Sequence, residues 1–501
     1  MRVALADIVV LVGYFTVIVF MGIWTGRRNR GTEDYFVGGR SMPGWLVGVS
    51  ILGTCISSVT YVAYPGKAFA GDWQYLVQGL MLPVVLLCGG FLLVRFYRKR
   101  VKTSVNEFLE QRFGPGVRVF SMVFLIISEI ARVGMVMYLF SLVVHTITGF
   151  DLFRVIIFIG CVTIIYAVVG GIRGVIWTDL IQAAVLVSGG IITISVISSR
   201  LPAGFSGILS EAWGSGKLEI FDFSGGLVRD TFFVLALSGL ANYFYFLGGN
   251  QNQIQRYQCT STDSDALKAT FLGGLASVPV WALFLLVGTA VYVYYQHFPD
   301  PDVAVYLLHG KADKAFPHFI ATALPAGVSG LLLAGLFGAA MSSLDSSMNA
   351  ASTMAVTDVY RRFINPQAPD KRAFNVARLL TLFWGVLGIA LAISMIAVKV
   401  FLDFYFIIVS LVIGVITGVF FLAVASKRAN GKGLITGILA GMVVSEWGII
   451  KMLGGFEGPF AVFNFPFHDI MVGVLATVTV IVVGYLQSVL VSGKEKKAPE
   501  S

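Results

Sequence analysis

Gly53-Thr54-Cys55-Ile56-Ser57-Ser58-Val59-Thr60, continuing to Tyr64-Pro65-Gly66, interrupts an apolar stretch with glycine, serine and threonine. A second interruption, Leu247-Gly248-Gly249-Asn250-Gln251-Asn252-Gln253, breaks another apolar stretch in the same way. Glycine and short polar residues let a spanning helix unwind, which frees backbone carbonyls at membrane depth. Glycine also serves close helix packing, and the chain has 56 of them, so packing alone is the competing reading of each break.

What surrounds the breaks sets the class. The 501 residues are 57% hydrophobic and 13% charged, about half the charged share of an ordinary soluble domain, and describe an all-α polytopic membrane protein. Thirteen apolar segments are expected, near 6–26, 45–65, 74–94, 120–148, 153–170, 174–199, 231–255, 270–296, 318–353, 376–397, 400–425, 433–453 and 469–491. With the amino terminus outside, 25 of the 36 lysines and arginines fall in inward loops, including Arg27-Arg28-Asn29-Arg30, Arg98-Lys99-Arg100, Arg361-Arg362, Lys427-Arg428 and Lys494 to Lys497. The positive-inside rule then leaves the carboxy terminus in the cytoplasm. The net charge of +9 is therefore a topology signal rather than a sign of nucleic-acid binding. The four cysteines have no paired spacing for a disulfide or zinc site.

Setting the first segment aside, the two breaks fall in the first and sixth of the rest. A spacing of five inverts the second unit relative to the first, an arrangement of many secondary transporters. This divides a single transmembrane domain, 1–491, into an extra helix at 6–26, repeats at 45–199 and 231–425, and two final helices at 433–491. Residues 492–501 form a cytoplasmic tail too short to fold, so no soluble output domain is expected.

Two further features carry chemistry. Gly338-Ala-Ala-Met-Ser-Ser-Leu-Asp-Ser-Ser-Met-Asn-Ala350 places hydroxyls and a carboxylate in an otherwise apolar stretch, and Ser342, Asp345 and Ser346 share one helical face. Such a stripe of oxygens suits a small hard cation. Arg132 lies in the middle of an apolar segment, where its planar fork suits a carboxylate or a row of sugar hydroxyls, although Glu129 on the same face could simply neutralise it. No nucleotide fingerprint or metal-ligand cluster is present, so the energy source is an ion gradient and no enzymatic activity is expected.

Together these motifs reach a known family. Asp34-Tyr-Phe-Val-Gly-Gly-Arg40, Gly170-Gly-Ile-Arg-Gly-Val-Ile-Trp-Thr-Asp-Leu-Ile-Gln182, Gln255-Arg256-Tyr257 and Ala339-Ala-Met-Ser-Ser-Leu-Asp-Ser346 occur in order, and from about residue 33 to 430 the chain resembles the sodium/solute symporter family. The resemblance implies the LeuT-type five-plus-five inverted repeat and a sodium-coupled symporter of the inner membrane, with a small organic solute, sodium ions and the lipid bilayer as partners and no obligate protein partner. Bacterial sialic-acid-type symporters look most similar, through Ser57-Ser58-Val59-Thr60 and Ala131-Arg132-Val133. The implied sodium site is Gly53, Ile56, Ala339, Ser342 and Ser343; a second would use Asp179, Ser342, Asp345 and Ser346. Asp345 departs from the serine of the sialic-acid type, and two carboxylates near one monovalent ion would bind it tightly or leave one protonated. The implied substrate cavity is Cys55, Ser57, Thr60, Gln78, Arg132 and Phe246, with the aromatic run 243–246 as an inner gate. The expected solute is a carboxylate-bearing sugar; a neutral sugar, a monocarboxylate or an amino acid are the same-class alternatives, and a transporter-like sensor or a channel the different-class ones.

Overall fold

The computed structural model describes residues 4–397 and 414–495. Its helices in chain order are α1 Leu5–Gly26, α2 Thr32–Val37, α3 Gly44–Cys55, α4 Ser58–Ala70, α5 Leu76–Arg100, α6 Asn106–Phe113 and α7 Pro115–Thr148. Next come α8 Leu152–Arg200, α9 Gly204–Gly214, α10 Phe232–Gly248, α11 Gln251–Cys259, α12 Asp263–His297, α13 Pro301–Leu308 and α14 Ala315–Thr322. The chain continues through α15 Val328–Ile364, α16 Asp370–Ala397, α17 Gly414–Ala425, α18 Gly431–Met452 and α19 Met471–Glu495. The segment expected near 400–425 enters only through α17, and the last six residues of the expected tail lie outside the described residues.

Nine of these helices are long and apolar enough to cross a membrane, or up to eleven spans if each of two bent pairs is one. The segments expected at 153–170 and 174–199 are the two arms of α8. Its 49 residues would run about 73 Å if straight, more than twice the ~30 Å hydrocarbon core. Gly171, at φ 55° and ψ −156°, reverses the chain inside it. Along the first arm Phe158 meets Phe15 and Tyr166 packs on Gly22; along the second, Gly174 lies back against Gly22, and Gln182 reaches Gly338 beside Tyr14. The arms thus run in opposite directions past α1. A Cβ at Gly171 would lie 2.6–2.7 Å from Tyr35, so both the conformation and the close approach require glycine. The segment expected at 318–353 is two helices, α14 and α15, separated by the turn at Pro325 to Gly327.

The first bent pair turns through 54° and the second through 47°. In the first, Gly53 is still helical and the break falls at Ile56 and Ser57, both extended. Extended backbone suits a β-branched isoleucine, and Ser57 caps the next half-helix by reciprocal bonding with Thr60, so glycine is not needed at the break itself. In the second, Gly249 and Asn250 leave the helix, and the Asn250 side chain caps α11. The carbonyls released there are taken up by phenols: Tyr257 donates to Leu247 O at 3.1 Å and Tyr97 to Gly248 O.

α15 is the centre of the bundle. In its most apolar window 89% of residues are buried, against 22% in α1, and it packs on α1, α7, α8 and α16. Aromatic edges such as Phe140 on Phe337, 4.7 Å between centroids, fill its outer half. Its polar residues are thereby held away from lipid.

Candidate functional site

Three helices, α3, α8 and α11, converge on the polar half of α15. From α3, the Gly53 carbonyl accepts the Ser342 hydroxyl at 3.2 Å, so the residue three before the first break is tied to the central helix. Ser343 donates to Ala339 O at 3.5 Å. Ser342 and Ser343 are both buried, at 2% and 3% exposure, and each hydroxyl keeps lone pairs with which to bind a cation. The oxygens of Gly53 and Ser342 therefore meet between α3 and α15, while Ser343 and Ala339 bond each other along α15.

Asp179, on the second arm of α8, lies beside it. It is fully buried, and Ser50 donates to its Oδ2 at 2.5 Å. Arg256, also fully buried, pairs with the same oxygen at 3.1 Å and donates to Ser50 at 2.8 Å and to Ser346 at 2.9 Å. On the far side of Ser346, Asp345 accepts from Tyr166 at 2.6 Å and from Ser346 at 3.3 Å. The cluster holds two carboxylates and one guanidinium, so with both carboxylates ionised it is one positive charge short. Asp179 Oδ1 has no hydrogen-bond partner among the described residues, and a Cβ at Gly53 would sit 3.5 Å from both the Asp179 carboxyl carbon and Ser342 Oγ. A buried carboxylate oxygen left open next to two serine hydroxyls fits a small cation.

α11 brings Arg256 to this place. All nine of its residues are buried although six are Gln, Asn or Arg, and four of its five amides bond neighbouring backbone or side chains. Gln251 accepts from Val105 N at 2.8 Å and donates to Thr103 O at 2.9 Å, Gln255 donates to Asn349 at 2.7 Å, and Gln258 donates to Tyr97 O at 3.2 Å. Arg40 and Arg98 close the same end, Arg40 onto Gln258 at 2.8 Å and Arg98 onto Asp263 at 2.6 Å. The second break thus ends in a buried, hydrogen-bonded half-helix, a polar plug within the bundle.

An oxygen-lined site between a broken helix and a central helix, with a polar plug beneath it, is the architecture of ion-coupled transport. The model of the Sodium:solute symporter family matches residues 35–441. The chain belongs to that family. The sodium/sialic acid symporter of Proteus mirabilis is 29% identical over 487 residues, 96% of this chain and 94% of its own length. The sodium/glucose cotransporter of Vibrio parahaemolyticus is 30% identical over 457 residues, 87% of this chain and 83% of its own. A solved structure of a Na+-coupled sialic acid symporter, in a substrate-bound outward-open state, superposes with a TM-score of 0.87 at 27% identity, covering 97% and 98% of the two chains. This sodium:solute symporter is a multi-pass plasma-membrane transporter and not an enzyme.

The residues expected from the sequence fall into three groups in the symporter. Gly53, Ser342, Asp179, Ser346 and Asp345 are brought together, Ala339 and Ser343 bond each other along α15, and Ile56 sits at the break, its N–H bonded to Leu52 O at 3.1 Å. Cys55 and Phe246 pack in the adjoining apolar clusters, Ser57 and Thr60 form the α4 cap, and Gln78 donates to Ser238 at 3.2 Å, joining α5 to α10. Arg132 stands apart. Glu129 does not neutralise it: the Glu129 carboxylate accepts from Asn252 at 2.8 Å, and among the described residues the Arg132 guanidinium has neither ion pair nor hydrogen bond. Three members of this cluster went unassigned in the sequence: Ser50, Tyr166 and the Arg256 guanidinium. Arg256 was visible as an arginine just past a break, but its carboxylate partner lies 77 residues away in sequence.

Proposed function

We propose that the symporter imports a carboxylate-bearing sugar of the sialic acid class together with sodium. The observation that carries this reading is Arg132, partly buried in the middle of α7 and free of any carboxylate among the described residues. A guanidinium kept there without a partner is costly, and its fork matches a carboxylate bidentately. That two of the relatives above carry sialic acid in their names supports the same class.

Sodium would be held by the carbonyls of Gly53, Ile56 and Ala339 and the hydroxyls of Ser342 and Ser343, joining α3 to α15. A second sodium would use Asp179, Ser342, Asp345 and Ser346, where the open Asp179 oxygen supports the charge count. Sodium binding draws the broken helix onto α15 and shapes the cavity containing Cys55, Ser57, Thr60, Gln78, Arg132 and Phe246. Opening of the α11 plug then releases ion and solute. Each charge moving inward at 100 mV contributes about 2.3 kcal/mol to uphill uptake.

The topology that goes with this is thirteen spans in the LeuT-type arrangement, repeats at 45–199 and 231–425, amino terminus outside and carboxy terminus inside. Supporting it are the reversal in α8, which makes two spans of one helix, and the bends at corresponding positions of the two repeats.

The test is uptake into proteoliposomes of radiolabelled sialic acid, glucose and pyruvate, driven by inward sodium or potassium gradients. Uptake of the acidic sugar alone, with sodium alone, is expected. Arg132→Lys should raise the half-saturating concentration of that sugar roughly ten-fold or more, as the bidentate pair is lost. Uptake of glucose instead, unaffected by Arg132→Lys, would replace the carboxylate reading with the neutral-sugar one.

A further inference from the structure

At the end of α5 the chain builds a second charged cavity that the transport cycle above does not use. It has a volume of about 340 Å³, roughly ten water volumes, and is lined by Arg40, Arg98, Lys99, Arg100, Lys102 and Glu107. Arg40 is paired with Glu33 at 3.1 Å and Arg98 with Asp263. Lys99, Arg100 and Lys102 have no carboxylate partner among the described residues. Glu107 does not balance them, since its carboxylate caps the turn before α6, accepting from the backbone N–H of Lys102 at 2.7 Å, Thr103 at 3.3 Å and Ser104 at 3.2 Å. Three cations without a carboxylate partner, beside two that are already paired, therefore face one already committed anion, in a space with room for a glycerophosphate.

The helix that carries three of these cations, α5, also presents an exposed apolar stripe. Leu87, Phe91 and Leu92 are 75%, 46% and 68% exposed, and one to two turns further along the same helix come Arg95 and Lys99. An apolar stripe that ends at a cluster of cations is the profile of a phospholipid: acyl chain along the stripe, phosphate among the cations. A soluble anion would have no use for the stripe.

We propose that this cavity binds the phosphate headgroup of an anionic phospholipid from the leaflet facing the basic loops. The assignment to that leaflet rests on the orientation proposed above; the binding itself does not. Two of the lining residues also hold the plug shut: Arg40 reaches Gln258 and Lys102 O, both at 2.8 Å, and Arg98 reaches the 257–263 corner. A phosphate there screens the repulsion among the cations flanking these bonds, so bound lipid favours the closed plug.

The experiment compares the full-length protein with the triple variant Lys99→Gln, Arg100→Gln, Lys102→Gln, which leaves Arg40 and Arg98 in place. Phosphatidylglycerol and phosphatidylcholine are titrated into detergent-purified protein, with native mass spectrometry counting retained lipid and thermal unfolding reporting stabilisation. The wild type should retain and be stabilised by phosphatidylglycerol only, and the triple variant should bind it on the order of a hundred-fold more weakly while unfolding normally in phosphatidylcholine. Equal phosphatidylglycerol binding by both proteins would overturn the site. Equal stabilisation of the wild type by millimolar inorganic phosphate, without lipid, would overturn the lipid as its occupant. Neither readout depends on the transported solute, so failure here and failure of the sialic acid reading are separable.

Discussion

Arg256 and Asp179 are both fully buried and meet at 3.1 Å, one carried by the half-helix after the second break and the other by the returning arm of α8. A guanidinium thus stands inside the group of oxygens that would hold a second cation. It joins Asp179 to Ser346 through Ser50 and its own fork, and so ties the plug to the ion site mechanically.

Removing one member of this pair leaves a buried charge alone. Arg256→Ala is expected to destabilise the protein by about 3–5 kcal/mol, whereas Arg256→Met combined with Asp179→Asn should recover most of that loss. Thermal unfolding of the three variants in detergent would check this, and a double variant no more stable than Arg256→Ala would show that the pair is not the reason.

Ser342 is the residue through which α15 touches the broken helix. Ser342→Ala deletes its bond to Gly53 O, about 1 kcal/mol of stability, and, on the sodium site proposed above, a ligand besides. The half-saturating sodium concentration for uptake should rise roughly ten-fold or more, with a smaller change in the solute's own affinity at saturating sodium. A solute defect without a sodium defect would remove Ser342 from the ion path.

Gly171 is held at a positive φ against Tyr35. Gly171→Ala should cost at least about 1–2 kcal/mol from the backbone alone, and more from the contact with Tyr35. The readout is the unfolding temperature; an unchanged value would mean that the two arms of α8 can reverse by another geometry.

Outside the spans, Glu110 on α6 provides a pH response. Partial burial works against its charged form, but hydrogen bonds from Arg118 and Arg362 outweigh it and hold the carboxyl below the usual glutamate range. A carboxyl depressed in the folded state contributes stability above its unfolded value, about 4.3, and that contribution fades as pH falls through the lower folded value. Unfolding scans from pH 6 to pH 3 should therefore fall less steeply for Glu110→Gln than for the wild type.

The amino-acid order alone determined the all-helical membrane class and the polar stripe of α15, because hydropathy and helical spacing are local properties. Residues 174–199 and 153–170 were separable from the glycine pair at 170–171, and the serines of α15 stood out as polar residues in an apolar run. The position of the first break was legible only to within three residues: glycine marked it at Gly53, but Ile56 and Ser57 carry the extended backbone. The partners of Asp179, Asp345 and Glu129 were not legible at all. Asp179 and Asp345 looked like two carboxylates facing one ion, and Glu129 offered an alternative partner for Arg132, yet Arg256, Tyr166 and Asn252 meet them. Sequence spacing settles which side chains share a helix face, but which charges neutralise one another is decided by distances between helices, and those exist only once the bundle has packed.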